Sequence, residues 1–105
     1  MQQVPHTPYV DVSAVSDDAF ILDVREPDEW RAGHVDGSLH IPMGQVPARM
    51  GEVPQDRRVV VVCRSGGRSA RVTGFLREQG YDVVNLEGGL TAWEAANRSL
   101  TGPVL

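Results

Sequence analysis

Val59-Val60-Val61-Val62-Cys63-Arg64-Ser65-Gly66-Gly67-Arg68-Ser69 decides how the chain is read. Four consecutive β-branched residues with no polar interruption predict a strand buried on both faces, as in the middle of a parallel sheet. The run ends in the only cysteine of the chain. Two glycines then allow a tight turn with its backbone amides pointing inward. Ser69 is a candidate N-cap for a following helix. Cys63 is therefore expected at the end of a central strand, under a ring of amides and at the mouth of a helix dipole. Each of these favours an anion, and so a thiolate over a thiol. Arg64 and Arg68 add positive charge on either side of the turn.

Working outward, apolar runs alternate with helix-compatible segments. Strands are expected at Tyr9-Val10-Asp11-Val12, Phe20 to Val24, Ser38 to Ile41, Arg58 to Cys63 and Asp82 to Leu86. Between them lie a helical turn over Ser13 to Asp18 capped by Ser13, and a helix from Pro27 to Ala32 ended by Gly33. A short helix over Gly44 to Met50, a longer one over Ser69 to Gln79, and a last one over Leu90 to Ala96 follow. In the longer helix Val72, Phe75 and Leu76 share one face. Residues 1–8 read as an irregular lead-in, and no structure is assigned to 97–105. The alternation predicts an α/β fold: a single domain over 1–105 with its core over about 9–96, and a five-stranded, mostly parallel sheet with helices on both faces. Ligands of such sheets bind at the carboxyl ends of strands, where Cys63, Asp23-Val24-Arg25 and Glu87 fall.

The 105 residues suffice for one domain and one modest core. A net charge of −4 argues against a nucleic-acid binder. All ten basic residues are arginine, which rules out a catalytic lysine. A single cysteine makes no internal disulfide and suits a reducing compartment. Met1 to Pro5 has neither a basic start nor an apolar run, and no segment is apolar enough to span a membrane, so a cytoplasmic location is expected. His6, His34, His40 and Cys63 show no metal-ligand spacing.

Three patches together resemble a known family. The first is Leu22-Asp23-Val24-Arg25-Glu26-Pro27-Asp28-Glu29-Trp30, continuing through Gly33-His34-Val35-Asp36-Gly37-Ser38 to Ile41-Pro42. The second is Cys63 to Ser69. The third is Gly80-Tyr81 with Asn85-Leu86-Glu87-Gly88-Gly89 and Trp93. Over roughly residues 20–95 the sequence resembles a single-domain rhodanese, a rhodanese-like sulfurtransferase. It departs from that pattern in a short segment between the first two strands, and in Asp36 where a proline is frequent.

The resemblance implies a cysteine that carries sulfur as a persulfide. Cys63 would be the nucleophile, taking a sulfane sulfur from a small donor such as thiosulfate and giving it to a thiol or cyanide-like acceptor. Arg64, Ser65, Gly66, Gly67, Arg68 and Ser69 would bind the substrate, with Arg64 the one free to point outward. No metal or organic cofactor is needed. For Asp23 and Arg25 support of the loop and direct catalysis both stay open, and so they do for His34.

Four residues separate Cys63 from Arg68, whereas cysteine phosphatases have five and a wider cradle; the shorter loop suits a single sulfur. An arsenate reductase resolving through an internal disulfide would need a second cysteine. A non-catalytic binding domain is disfavoured by the intact cysteine loop. A persulfide carrier serving a sulfur-relay protein is the remaining alternative.

Overall fold

A computed structural model describes residues 7–104 of the chain. Five parallel strands form one sheet: β1 (Tyr9–Val10), β2 (Phe20–Asp23), β3 (Leu39–His40), β4 (Val59–Val62) and β5 (Val83–Leu86). Their order is β1-β5-β4-β2-β3, so β4 is central. One α-helix follows each of β2 to β5: α1 (Pro27–Ala32), α2 (Val46–Arg49), α3 (Gly67–Glu78) and α4 (Gly89–Ala95).

The valine run shows why β4 takes the centre. Val59 and Val61, with Cys63 beyond them, face a cluster containing Val72 and Leu76 of α3 and Val46 of α2. Val60 and Val62 face the other cluster, with Leu90 and Trp93 of α4. All four valines are buried, and each contributes roughly 1.5–2 kcal/mol by leaving water. Helices thus cover both faces, as a strand with no polar side requires. Register sets the strand ends level: Asp23 of β2 lies opposite Val62 of β4 and His40 of β3.

Several boundaries differ from the sequence expectations, each for a local reason. The first strand stops at Val10, and Val12–Ala14 is a 3₁₀ turn. Asp11, not Ser13, caps it, because its carboxylate accepts from both the amide and the hydroxyl of Ser13. The third strand contracts to Leu39–His40. The helix expected over Gly44 to Met50 is a 3₁₀ turn at Met43–Gln45, then α2, then a second 3₁₀ turn at Met50–Glu52. Pro47 sits in the first turn of α2, where its missing N–H costs nothing.

α3 begins at Gly67, with Gly66 as its N-cap at φ 109°, so Ser69 is inside the helix rather than at its cap. The left-handed glycine turns the chain early and leaves the Ser69 hydroxyl for other partners. The segment after α4 packs back on the body. Trp93 Nε1 donates to Ser99 O at 3.1 Å, and His34 and Thr101 form an antiparallel bridge. Of the irregular lead-in, residues 1–6 lie outside the described residues. No helix among the described residues is long and apolar enough to cross a membrane.

Candidate active site

Cys63 is the first residue beyond β4 and is 1% exposed. Two amides donate to its Sγ, Gly66 at 3.1 Å and Ser69 at 3.4 Å, and the Ser69 hydroxyl oxygen lies 3.3 Å from it. Burial pushes the thiol up and is the largest single influence. The Ser69 hydroxyl and the amides of Ser69, Gly66 and Ser65 together outweigh it, so the thiol lies below its ordinary value. The site also stands at the N-terminus of the twelve-residue α3, whose dipole favours an anion there.

The loop keeps this geometry because both of its flanks are pinned. On one side Asn85 of β5 reaches across: its Oδ1 accepts from the Ser69 hydroxyl at 2.5 Å, and its Nδ2 donates to Gly66 O at 3.1 Å. On the other, the first amides of α4 hold the carbonyls that start the loop. Leu90 N donates to Cys63 O at 2.9 Å and Thr91 N to Arg64 O at 3.0 Å. That approach requires glycine at 89, since a Cβ there would lie 2.5 Å from Cys63 O. With the carbonyls turned toward α4, the following amides are left to face the sulfur.

Asp23 and Arg25 lie at the ends of β2 and the segment after it, fully buried as an ion pair. Arg25 Nε lies 3.0 Å from both Asp23 oxygens, and its Nη2 lies 2.7 Å from Oδ2. The remaining donors go to Glu29 O at 3.2 Å and Gly33 O at 2.7 Å. The pair therefore ties α1 to the sheet, and its side-chain bonds run to α1 rather than to Cys63. His34 Nδ1 bonds Trp30 O at 2.9 Å, and its ring stacks on Trp30 at 3.6 Å.

Neither loop arginine is a free cation. Arg68 binds Glu29 of α1 through two bonds, Nη1 to Oε1 at 2.6 Å and Nη2 to Oε2 at 3.0 Å. Bonding to Arg68 outweighs partial burial and holds the Glu29 carboxyl down at about 2. Arg64 is half exposed and pairs with Glu94 of α4 at 3.2 Å. Ser65 and Gly67 are exposed.

Glu29, Asn85 and Gly89 were not singled out from the sequence as site residues. Asn85 carries a visible signal, a polar residue inside the apolar strand Val83-Val84-Asn85-Leu86, which burial obliges to find partners. Glu29 stands three residues after Glu26, whose amide donates to Glu29 Oε1 at 3.1 Å. Such spacing marks a helix start, but nothing local announces Arg68 as its other partner.

A parallel α/β sheet with a thiol held in an amide ring at a central strand end defines a class of cysteine-loop proteins. Within it, the chain belongs to the rhodanese-like domain family, whose model matches residues 11–96. It is 41% identical over 91 residues to a sulfurtransferase of Allochromatium vinosum, covering 86% of this chain and 85% of that one. It is 38% identical to the thiosulfate sulfurtransferase GlpE of Pseudoalteromonas translucida, over 76% of this chain and 77% of that one. A rhodanese-related protein from Thermoplasma volcanium superposes with a TM-score of 0.84 at 27% identity, over 90% of this chain and 97% of that one.

Proposed function

We propose that the protein is a sulfurtransferase that moves a sulfane sulfur from a donor such as thiosulfate to a thiophilic acceptor through a persulfide on Cys63. The observation that carries this reading is the convergence of the Gly66 and Ser69 amides and the Ser69 hydroxyl on one sulfur atom. The names of its relatives support sulfur transfer as the chemistry.

In the first half-reaction the Cys63 thiolate attacks the outer sulfur of the donor. A new Sγ–S bond forms, the donor's S–S bond breaks, and its electron pair leaves on sulfite when the donor is thiosulfate. Charge balances, because a thiolate and a dianion become a persulfide anion and a dianion. The terminal sulfur of Cys63–S–S⁻ is then stabilised by charge-assisted bonds from the loop amides between Arg64 and Ser69. In the second half-reaction an acceptor nucleophile, a thiol or a cyanide-like anion, attacks that terminal sulfur and restores the thiolate. The two steps predict ping-pong kinetics. The chemistry uses no cofactor, and a reducing location such as the cytoplasm keeps the thiol available.

Intact-mass spectrometry after incubation with thiosulfate tests the reading. A gain of one sulfur atom, absent in Cys63→Ala, is the expected result, with sulfite released in step. No gain from thiosulfate but a gain from a protein persulfide donor would replace this reading with a persulfide carrier in a sulfur relay.

A further inference from the structure

The charge around the loop differs from what its sequence suggests. Two arginines follow the cysteine, yet both are paired with carboxylates from other elements. Arg68 is bound at both terminal nitrogens by Glu29, and Arg64 is paired with Glu94. Of these, Arg68 stands in the first turn of α3, next to Ser69, whose amide reaches the Cys63 sulfur. Its partner is built in. Glu29 Oε1 accepts from the Glu26 amide as well as from Arg68. The backbone of Glu29 is held in turn by the buried Arg25, through its carbonyl. Glu29 is thus held by its own helix turn and by the buried Arg25 as well as by Arg68.

Further acidic groups crowd the same strand-end rim. Glu26 and Asp28 open α1 and Glu87 follows β5; all three are exposed, and no ion pair among the described residues involves them. The amide ring is thus an anion site for one small sulfur, and the two arginines of its own loop are both paired with carboxylates. A dianionic donor brings a second negative charge that neither of these arginines is free to meet.

We propose that Glu29 is a specificity-determining residue: by holding and neutralising Arg68 it sets the donor subsite against dianionic sulfur donors relative to donors of lower charge. This rests on the sulfurtransferase reading above. The step it modulates is the first half-reaction. Thiolate attack on R–S–S⁻ forms Cys63–S–S⁻ and expels R–S⁻, whereas attack on thiosulfate expels sulfite, a dianion.

The test compares kcat/KM for thiosulfate and for cysteine persulfide, which has a lower net negative charge, in the full chain and in Glu29→Gln. Glutamine keeps an oxygen for Arg68 and for the Glu26 amide but removes the charge. The ratio of kcat/KM values is expected to move about threefold toward thiosulfate, a size set by a partly exposed ion pair. The thiosulfate value should also fall more steeply with added salt than in the parent. Glu29→Ser, equally uncharged, must shift the ratio in the same direction and serves if the glutamine variant does not fold. An unchanged ratio, or a shift toward the persulfide, overturns the proposal. Failure of both donors to add sulfur to Cys63 in the parent chain, read by intact mass, instead overturns the sulfurtransferase reading itself and the proposal with it.

Discussion

Ser69 donates its hydroxyl to Asn85 Oδ1 at 2.5 Å while the same oxygen lies 3.3 Å from Cys63 Sγ. A hydroxyl has one proton, so it cannot serve both acceptors at once. With Cys63 as a thiol, the short bond to Asn85 holds the hydroxyl proton. When the sulfur ionises, the hydroxyl is already within reach to turn toward it. Asn85 thereby parks the donor beside the sulfur, and its amide holds the Gly66 carbonyl in place.

Ser69→Ala keeps the backbone amide and deletes this hydroxyl. The Cys63 thiol is held below its ordinary value partly by that group, so its removal raises the pKa. Alkylation of Cys63 by iodoacetamide at neutral pH should slow by about tenfold, with the rate profile displaced to higher pH. The sign carries over to stability. A thiol depressed in the folded state adds stability that is present above its unfolded pKa and is lost as pH falls through the folded one. The alkaline gain should shrink in Ser69→Ala, and an unshifted alkylation profile would remove the hydroxyl from this account.

Gly89 and Gly74 make a matched pair. At Gly89, φ is 58° and a Cβ would meet Cys63 O at 2.5 Å and Arg64 O at 2.7 Å, both rigid backbone. Gly89→Ala must push α4 away from the start of the loop. It should cost about 2–3 kcal/mol in urea unfolding and lower activity together with stability. At Gly74, inside α3, a Cβ meets nothing within 4 Å. Gly74→Ala should stabilise by about 0.5–1 kcal/mol, the helix-propensity gain, and leave the loop untouched.

Arg25→Met isolates the buried pair. It leaves the Asp23 carboxylate fully buried without its guanidinium partner, and it frees the carbonyls of Glu29 and Gly33. A loss of about 3–5 kcal/mol is expected from stranding a buried charge. Asp23→Asn with Arg25→Met should recover part of that loss, because no net charge then remains inside. A double-mutant cycle in chemical denaturation measures the coupling.

The valine run, the glycine turn and the cysteine at a strand end were legible because each is a local pattern with one dominant physical cause. Four unbroken valines leave no polar face, and β4 takes the centre of the sheet accordingly. The helix start was misplaced because Ser69 looks like a cap in isolation, and only its meeting with Asn85, sixteen residues on, shows where the hydroxyl goes. The partners of the loop's arginines are hidden in the sequence for the same reason. Arg68 and Glu29 are 39 residues apart, and Arg64 and Glu94 are 30 apart, so no local spacing reveals that they cancel. The side chains of Asp23 and Arg25, read together as a pair beside the site, bond to each other and to α1. What adjacent residues decide was visible; what the parallel crossovers bring together was not.

Glu29 also makes acid stability a readout of the pair it forms. Its carboxyl is held at about 2 against an ordinary 4.5, first by the hydrogen bonds from Arg68. A carboxylate depressed in the folded state contributes stability that is fully present above the unfolded pKa and is lost as pH falls through the folded one. The window is therefore between about pH 4.5 and about pH 2. Both partners are partly exposed, so solvent screening limits the contribution to about 1 kcal/mol. Glu29→Gln should lower the neutral-pH unfolding free energy measured in urea by that amount and flatten the loss across this window relative to the parent. Added salt should narrow the difference between the two proteins only modestly, because a short, partly buried bidentate pair is less screened than the exposed Arg58–Asp82 pair at 3.4 Å. If Glu29→Gln unfolds with the same acid slope as the parent, the carboxylate is not depressed in solution, and Arg68 is not held by it as the structure has it.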